Sequence, residues 1–388
     1  MTGTGTATGP VLGRRALGRA LLARQHLLAR TRRTPAELVH HLVGLQAQAA
    51  PQPPYLGLLA RLDGFTPEPL STLIEQRAVV RTALHRGTLH LVTADDCLAL
   101  RPLLQPVLDH GLRTAFGTRL AGLDLDALAA EARDLVEAEP RTFRQLGALL
   151  AATRPDRHPA ALAQAARSRL PLVQVPPRGL WGRGGPAAHT TAEAWLGRPL
   201  DPAPSPDDLT LRYLAAFGPA TVADLQKWSG LSRLGPVLKR LAPRLLAFRD
   251  EQGRLLYDLP DAPRPDGDTP APVRLVAPFD NLLLSHADRS RVLPEEYRGR
   301  VMTPNGLVAG TLLVDGLVAG TWRLTDDQDV VVRPFAPLRR ADRQAAEAEA
   351  ERVAAFAGRC GGERGAGGPA AGGGGAGERG AVRIEEPP

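Results

Sequence analysis

Lysine is almost missing from this 388-residue chain. Of its 48 basic residues only Lys227 and Lys239 are lysines, and the rest are arginines. Cysteine is as scarce: Cys97 and Cys360 cannot build a disulfide framework or a zinc cluster, and they fit a reducing cytoplasm. No run of about 18 uncharged apolar residues occurs, which argues against a membrane span. Aromatic residues are 4% of the chain, which fits a duplex binder better than a protein that stacks single-stranded bases. P-loop, HExxH, Cys-x-x-Cys and GxSxG patterns are all missing. The histidines are scattered, with only His85 and His90 close to a motif. Metal and serine-hydrolase chemistry therefore find little support, and no cofactor is expected.

What is present is enough for several packed units. The length exceeds what one hydrophobic core comfortably supports, and 43% hydrophobic residues indicate a folded protein. A formal charge of +7 permits a polyanionic partner, although arginine, alanine, glycine and proline are also what a GC-rich genome encodes. The N-terminal stretch is rich in arginine and lacks acids, as transit peptides do. Leu17, Leu21 and Leu28 recur at helical spacing, however, so we read a basic first helix.

Three helix starts share one form: Thr34-Pro-Ala-Glu-Leu38, Thr142-Phe-Arg-Gln-Leu146 and Thr221-Val-Ala-Asp-Leu225. Threonine followed three residues later by Glu or Gln is a capping box, and the third copy has Asp there. After the third start come a Ser-Gly-Leu-Ser turn, a second helix with Arg233, Lys239 and Arg240, and two extended runs across Asp250-Glu-Gln-Gly253. Helix, turn, basic helix and hairpin make a winged helix. The second copy repeats this plan, with Arg178, Trp181 and Arg183 on its wing. In the first copy VRTALHRGTLHLV is the hairpin. Beyond roughly residue 270 the pattern alternates, with Asp315-Gly316 a strong hairpin signal. The expected fold is α+β: three tandem winged-helix units followed by a small antiparallel β-barrel. The boundaries fall at 12–120 for the basic helix and first unit, 121–200 and 201–265 for the second and third, and 266–358 for the barrel and its closing helix. A disordered glycine-rich tail is expected over 359–388.

Residues 44–54, GLQAQAAPQPP, place Gln46 and Gln48 where prolines are expected to end a helix and bias the chain toward extended geometry, so that both amides share a face. An amide can orient a water molecule or a base edge without taking a proton, but a Q-x-Q at a helix end is also ordinary solvated surface. The hairpin gathers Arg81, His85, Arg86, Thr88 and His90, which on a wing would meet phosphates or enter a groove. With both lysines in the third unit, none is placed for a Schiff base.

The stretches ELVHHLVGLQAQAAPQPPYLGLLARL, VVRTALHRGTLHLVTADD and APFDNLLLSHADRSR, with the later LLVDGLVAGTWRL, resemble the actinobacterial winged helix DNA-binding domain proteins. These are similar to the AlkZ and YcaQ group of alkylpurine DNA glycosylases, linked to azinomycin resistance. The resemblance covers roughly residues 12 to 358. It implies a metal-free, monofunctional glycosylase acting on N7-alkylated purines in duplex DNA, bulky adducts and interstrand crosslinks included, with Gln46 and Gln48 holding the water. Ala47 is smaller than the residue often found at its position. Asp280 would orient a glutamine or serve the loop entering the barrel, and Arg289, with Arg291, would reach phosphate or pair with Asp288. Double-stranded DNA is the expected partner and a nucleoid-associated, cytoplasmic monomer the expected state. The alternative is a non-catalytic winged-helix DNA-binding protein or transcriptional regulator, which would have no need of the Gln-Ala-Gln segment.

Overall fold

The computed structural model describes residues 9–49, 51–359 and 380–387. Strand β1 (Val11–Leu12) is the first element of the described residues. Strands β2 (Leu45–Gln46), β3 (Val79–Ala83), β4 (Leu89–Thr93), β5 (Arg141–Thr142), β6 (Leu172–Gln174) and β7 (Ala188–Thr191) form a six-stranded sheet in the order β2-β4-β3-β6-β7-β5. Strands β8 (Leu246–Asp250) and β9 (Leu255–Asp258) pair as a hairpin, with β1 added parallel to β8. Strands β10 (Arg274–Val276), β11 (Gly310–Val314), β12 (Leu317–Leu324), β13 (Val330–Pro334) and β14 (Val382–Ile384) make a five-stranded sheet in chain order.

All three expected capping boxes form. Thr34 with Glu37, Thr142 with Gln145 and Thr221 with Asp224 exchange side-chain and backbone hydrogen bonds at the starts of helices Pro35–His41, Phe143–Ala152 and Val222–Ser229. The Asp of the third copy closes its box as Glu and Gln do. Helix, helix and hairpin then follow in the second copy (Phe143–Ala152, Pro159–Arg169, β6, β7) and the third (Val222–Ser229, Gly235–Leu241, β8, β9).

The hairpins of the first two copies are not separate wings. Strand β3 pairs antiparallel with β6, Arg81 opposite Gln174 and Thr82 opposite Val173, and Thr82 Oγ1 donates to the Leu172 carbonyl at 2.9 Å. One sheet therefore crosses the boundary expected near residue 120.

No barrel closes. The five-stranded sheet is open, because helix Arg340–Ala357 covers its apolar face: Ala346, Ala350, Val353 and Phe356 share a core with Leu275, Leu312, Trp322 and Val332. An antiparallel sheet needs only one covered face, and the helix supplies the cover that barrel closure would otherwise provide. The Asp315-Gly316 turn forms as expected, with φ of 47° and 79°. Most of the glycine-rich stretch expected to be disordered, residues 360–379, lies outside the described residues. Beyond it the tail expectation fails: β14 runs parallel to β13, Val382 and Ile384 pack on the second core, and Glu385 pairs with Arg333.

The first helix, Arg14–Arg24, shows only half of its positive charge on the surface: Arg14 and Arg15 are exposed, whereas the other two arginines are interior. Arg24 is buried and donates to both carboxylate oxygens of Asp258, at 2.6 and 2.8 Å, and Arg19 is buried against Asp315. A second interior pair joins helix Gln52–Arg61 to the loop after β10: Arg61 Nη1 and Nη2 donate to Asp280 at 2.8 and 2.7 Å, with both side chains shut from solvent. Removing one partner leaves a buried uncompensated charge. Asp280→Ala is expected to lower the unfolding free energy in urea by about 3–5 kcal/mol, whereas Arg61→Met with Asp280→Leu loses much less.

Candidate active site

Helix Pro35–His41 stops well before the prolines. Leu42 caps it, Val43 and Gly44 turn the chain with φ of 53° and 96°, and β2 begins at Leu45. A side chain at Gly44 would meet Val92 Cγ1 at 2.6 Å, so the left-handed turn and the close approach both require glycine. Pro53 and Pro54 do not end a helix. They sit in the first turn of helix Gln52–Arg61, where a missing N–H costs nothing. The extended geometry expected at Gln46 is present for a different reason, pairing of β2 with β4: Gln46 lies opposite His90, and Ala47 N donates to the Leu89 carbonyl at 2.7 Å.

Strand alternation turns the Ala47 side chain into the core, fully buried beside Leu45 and Leu91, which accounts for a small residue there. Gln46 is 8% exposed and Gln48 lies on the surface. Arg86 Nη2 donates to Gln46 Oε1 at 2.8 Å, and Leu89 N donates to Gln48 Oε1 at 3.4 Å. A guanidinium only donates, so the Gln46 oxygen must face Arg86 and its amide nitrogen must face away. Each oxygen keeps a second lone pair.

Arg86 is a structural bridge. It stands at the tip between β3 and β4 with φ of 55°, and its Nη1 donates to the Trp228 carbonyl at 2.5 Å. Burial first, and then Arg289, lower its pKa to about 10, which leaves it charged at neutral pH. The turn at Gly230 packs on the Arg86 backbone, so the third copy's first helix ends against the hairpin that holds Gln46.

The other expected DNA contacts divide by burial. Arg81, His85 and His90 are interior, contrary to the expectation of phosphate contacts. Arg81 Nη2 holds the Ala47 carbonyl at 2.8 Å. His85 donates from Nε2 to the Val43 carbonyl at 3.1 Å and stacks on Trp228 at 4.1 Å. His90 donates from Nδ1 to the Thr88 carbonyl at 3.0 Å, while Thr88, half-buried, caps His85 O through Oγ1. The hairpin's edges are taken by β2 and β6 and its faces are packed by helices and by Trp228, so its histidines became core. Arg178 is half-buried and bonds Gly185 O, Trp181 packs against Tyr55, and Arg183 is on the surface.

Asp280 does not reach a glutamine. It takes the interior role with Arg61, and its neighbour Asn281 donates to the Gly44 carbonyl at 2.8 Å, clamping the turn before β2. Arg289 bonds the Leu283 carbonyl and Arg291 the Pro219 carbonyl, while Asp288 pairs with Arg254 instead. Asn281 and the Arg86 to Gln46 bond were missed by sequence reasoning. Positive φ at Arg86 leaves no local signal in a chain so rich in arginine. Among the described residues no group of His, Cys, Asp or Glu could hold a metal ion, and no helix is long and apolar enough to cross a membrane.

Burial pushes the His90 ring down to about 3, with Arg86 adding to the shift, and pushes His85 well below the usual histidine range. These rings stay neutral when folded but protonate near 6.5 when unfolded, so their contribution is complete above about pH 6.5 and is lost as pH falls toward the folded value. The melting temperature is expected to drop between pH 6.5 and 4 by calorimetry, and His90→Phe is expected to flatten that slope. An equal slope in the variant would remove His90 as a cause.

A family model of AlkZ-like DNA glycosylases matches residues 39–356. The interstrand DNA cross-link repair glycosylase of Streptomyces sahachiroi is 28% identical over 360 residues, which is 87% of this chain and 94% of that protein. Among solved structures, the Streptomyces sahachiroi DNA glycosylase AlkZ shares the fold with a TM-score of 0.75 at 23% identity, over 97% of this chain and 100% of that one.

Proposed function

Because the chain belongs to the AlkZ-like DNA glycosylases, we propose that it hydrolyses the N-glycosidic bond of N7-alkylated purines in duplex DNA, bulky and crosslinked lesions included, with Gln46 and Gln48 holding the attacking water. The observation that carries this reading is that both amide oxygens are oriented by neighbours: that of Gln46, on β2, by Arg86 at 2.8 Å, and that of Gln48, in the bend just after β2, by the Leu89 amide at 3.4 Å.

Alkylation at N7 makes the purine a cationic leaving group, so the bond needs little acid catalysis. What remains is to place water near C1′ and to stabilise a centre with oxocarbenium character. Two amide oxygens do both, through their free lone pairs and partial charge. Water adds to C1′ and gives up one proton to solvent, while the alkylated base departs with the bonding electrons of the cleaved bond, neutralising its charge. Arg86 earns its place by fixing which end of the Gln46 amide is oxygen.

We read the helix, helix and hairpin units as winged helices that bring this segment to the duplex. The exposed Arg233 lies on the third of them and suits phosphate. Arg240, on the third unit's second helix, is already paired with Asp207 and so contributes less charge to such a surface. Duplex binding is expected to weaken steeply with salt.

The test is base release from duplex DNA carrying N7-methylguanine. Gln46→Ala and Gln48→Ala are each expected to lower the single-turnover rate by about a hundredfold or more while retaining duplex affinity. Arg86→Ala is expected to act largely through Gln46, so the double variant loses less than the sum of the two single losses. Wild-type protein that binds duplex without releasing base would leave a DNA-binding role alone.

A further inference from the structure

Arg178 and Trp181 do not stand on a free wing. With Pro51, Gln52, Gly184 and Leu324 they line a cleft of about 290 Å³ between the start of helix Gln52–Arg61, the loop joining β6 to β7, and the end of β12. The size is at the lower limit of small-molecule pockets, roughly 300–1,000 Å³, and gives room for one ring system.

The cleft adjoins the Gln-Ala-Gln segment both along the chain, through Pro51 and Gln52, and through the side chain of Arg81. Arg81 holds the Ala47 carbonyl at one end, at 2.8 Å, and Gly179 of the cleft wall lies against its stem: a Cβ there would sit 2.9 Å from Arg81 Cδ. Its chemistry is flat and donor-rich. The Trp181 ring is fixed between Tyr55 at 5.0 Å and Phe356 at 4.8 Å, and Arg178 adds a planar cation. Trp181 Nε1 and Oε1 of Gln328, which also lines the cleft, are buried without hydrogen-bond partners. Among the described residues no carboxylate lines it.

We propose that this cleft is a subsite for the substituent carried on N7 of the excised purine, and that it favours planar, uncharged or anionic adducts over cationic ones. The inference rests on the glycosylase reading above. The purine itself must stay where water between Gln46 and Gln48 reaches C1′, so the neighbouring cleft is left for what the purine carries. Hydrolysis is unchanged; the adduct leaves with its base.

Gly184 offers a selective block. No heavy atom lies within 4 Å of a Cβ built there and its backbone is not left-handed, so Gly184→Leu fills the cleft without strain. Duplexes carrying N7-methylguanine, N7-benzylguanine and N7-(3-aminopropyl)guanine are the probes, read as single-turnover base release. Wild type is expected to release the benzyl lesion about as fast as the methyl and the aminopropyl lesion about tenfold slower, while Gly184→Leu slows the benzyl lesion about tenfold and leaves the methyl within about twofold. The methyl arm also reports that the variant is folded. If Gly184→Leu slows methyl and benzyl release together, or leaves benzyl release intact, the subsite is overturned. Wild type that releases none of the three would overturn the glycosylase reading itself.

Discussion

A guanidinium and a carboxylate sealed away from water hold the segment around Gln46 in register. Arg61 and Asp280 each satisfy the other's geometry, and Arg61 also bonds Gly57 O and Gln25 Oε1, tying helix Gln52–Arg61 to the loop after β10 and to the end of the first helix. Asn281, one residue on, bonds the carbonyl of Gly44 immediately before β2. The position of Gln46 is thus set from more than two hundred residues downstream. An apolar replacement could stabilise as well, but it would not fix direction: a bidentate pair specifies both the angle and the distance of the groups it joins.

The same economy governs arginine elsewhere. Arg24 with Asp258, Arg101 with the Ser168 and Leu170 carbonyls, and Arg352 with the Leu59 and Leu62 carbonyls are interior or half-buried, each satisfying several acceptors at once. Lysine offers no planar fork for this task, and Lys227 and Lys239 are both on the surface. The net charge of the chain therefore overstates the positive charge available to a polyanion, because part of it is structural.

Local signals were legible where the physics is local. Three capping boxes, the Asp315-Gly316 turn and the order of helices and strands in the second and third copies follow from residue type and spacing. What escaped depends on distant partners. The prolines after Gln48 read as a stop because proline is disfavoured in a helix interior, yet they fit a first turn well, and only the turn at Val43 and Gly44 decides between them. Period-two alternation says that a strand has one buried face, not whether a sheet closes, and helix Arg340–Ala357 settled that for the C-terminal sheet. Arg81, His85 and His90 looked like a wing's polar face because nothing in the hairpin announces that β2 and β6 flank it.

The pairing of β3 with β6 has a mechanical side. Two hairpins that share a backbone ladder cannot change their mutual angle without breaking Thr82 away from Val173 and Leu172. A protein built from loosely strung modules fits a distorted duplex by flexing at its linkers; this one is stiff across that joint. The compliance needed for a good fit then comes from the nucleic acid, at an elastic cost of order 1–6 kcal/mol for a bend of tens of degrees. Damage that weakens stacking lowers that cost, so for any rigid frame the ease with which the DNA yields adds to the contacts it makes.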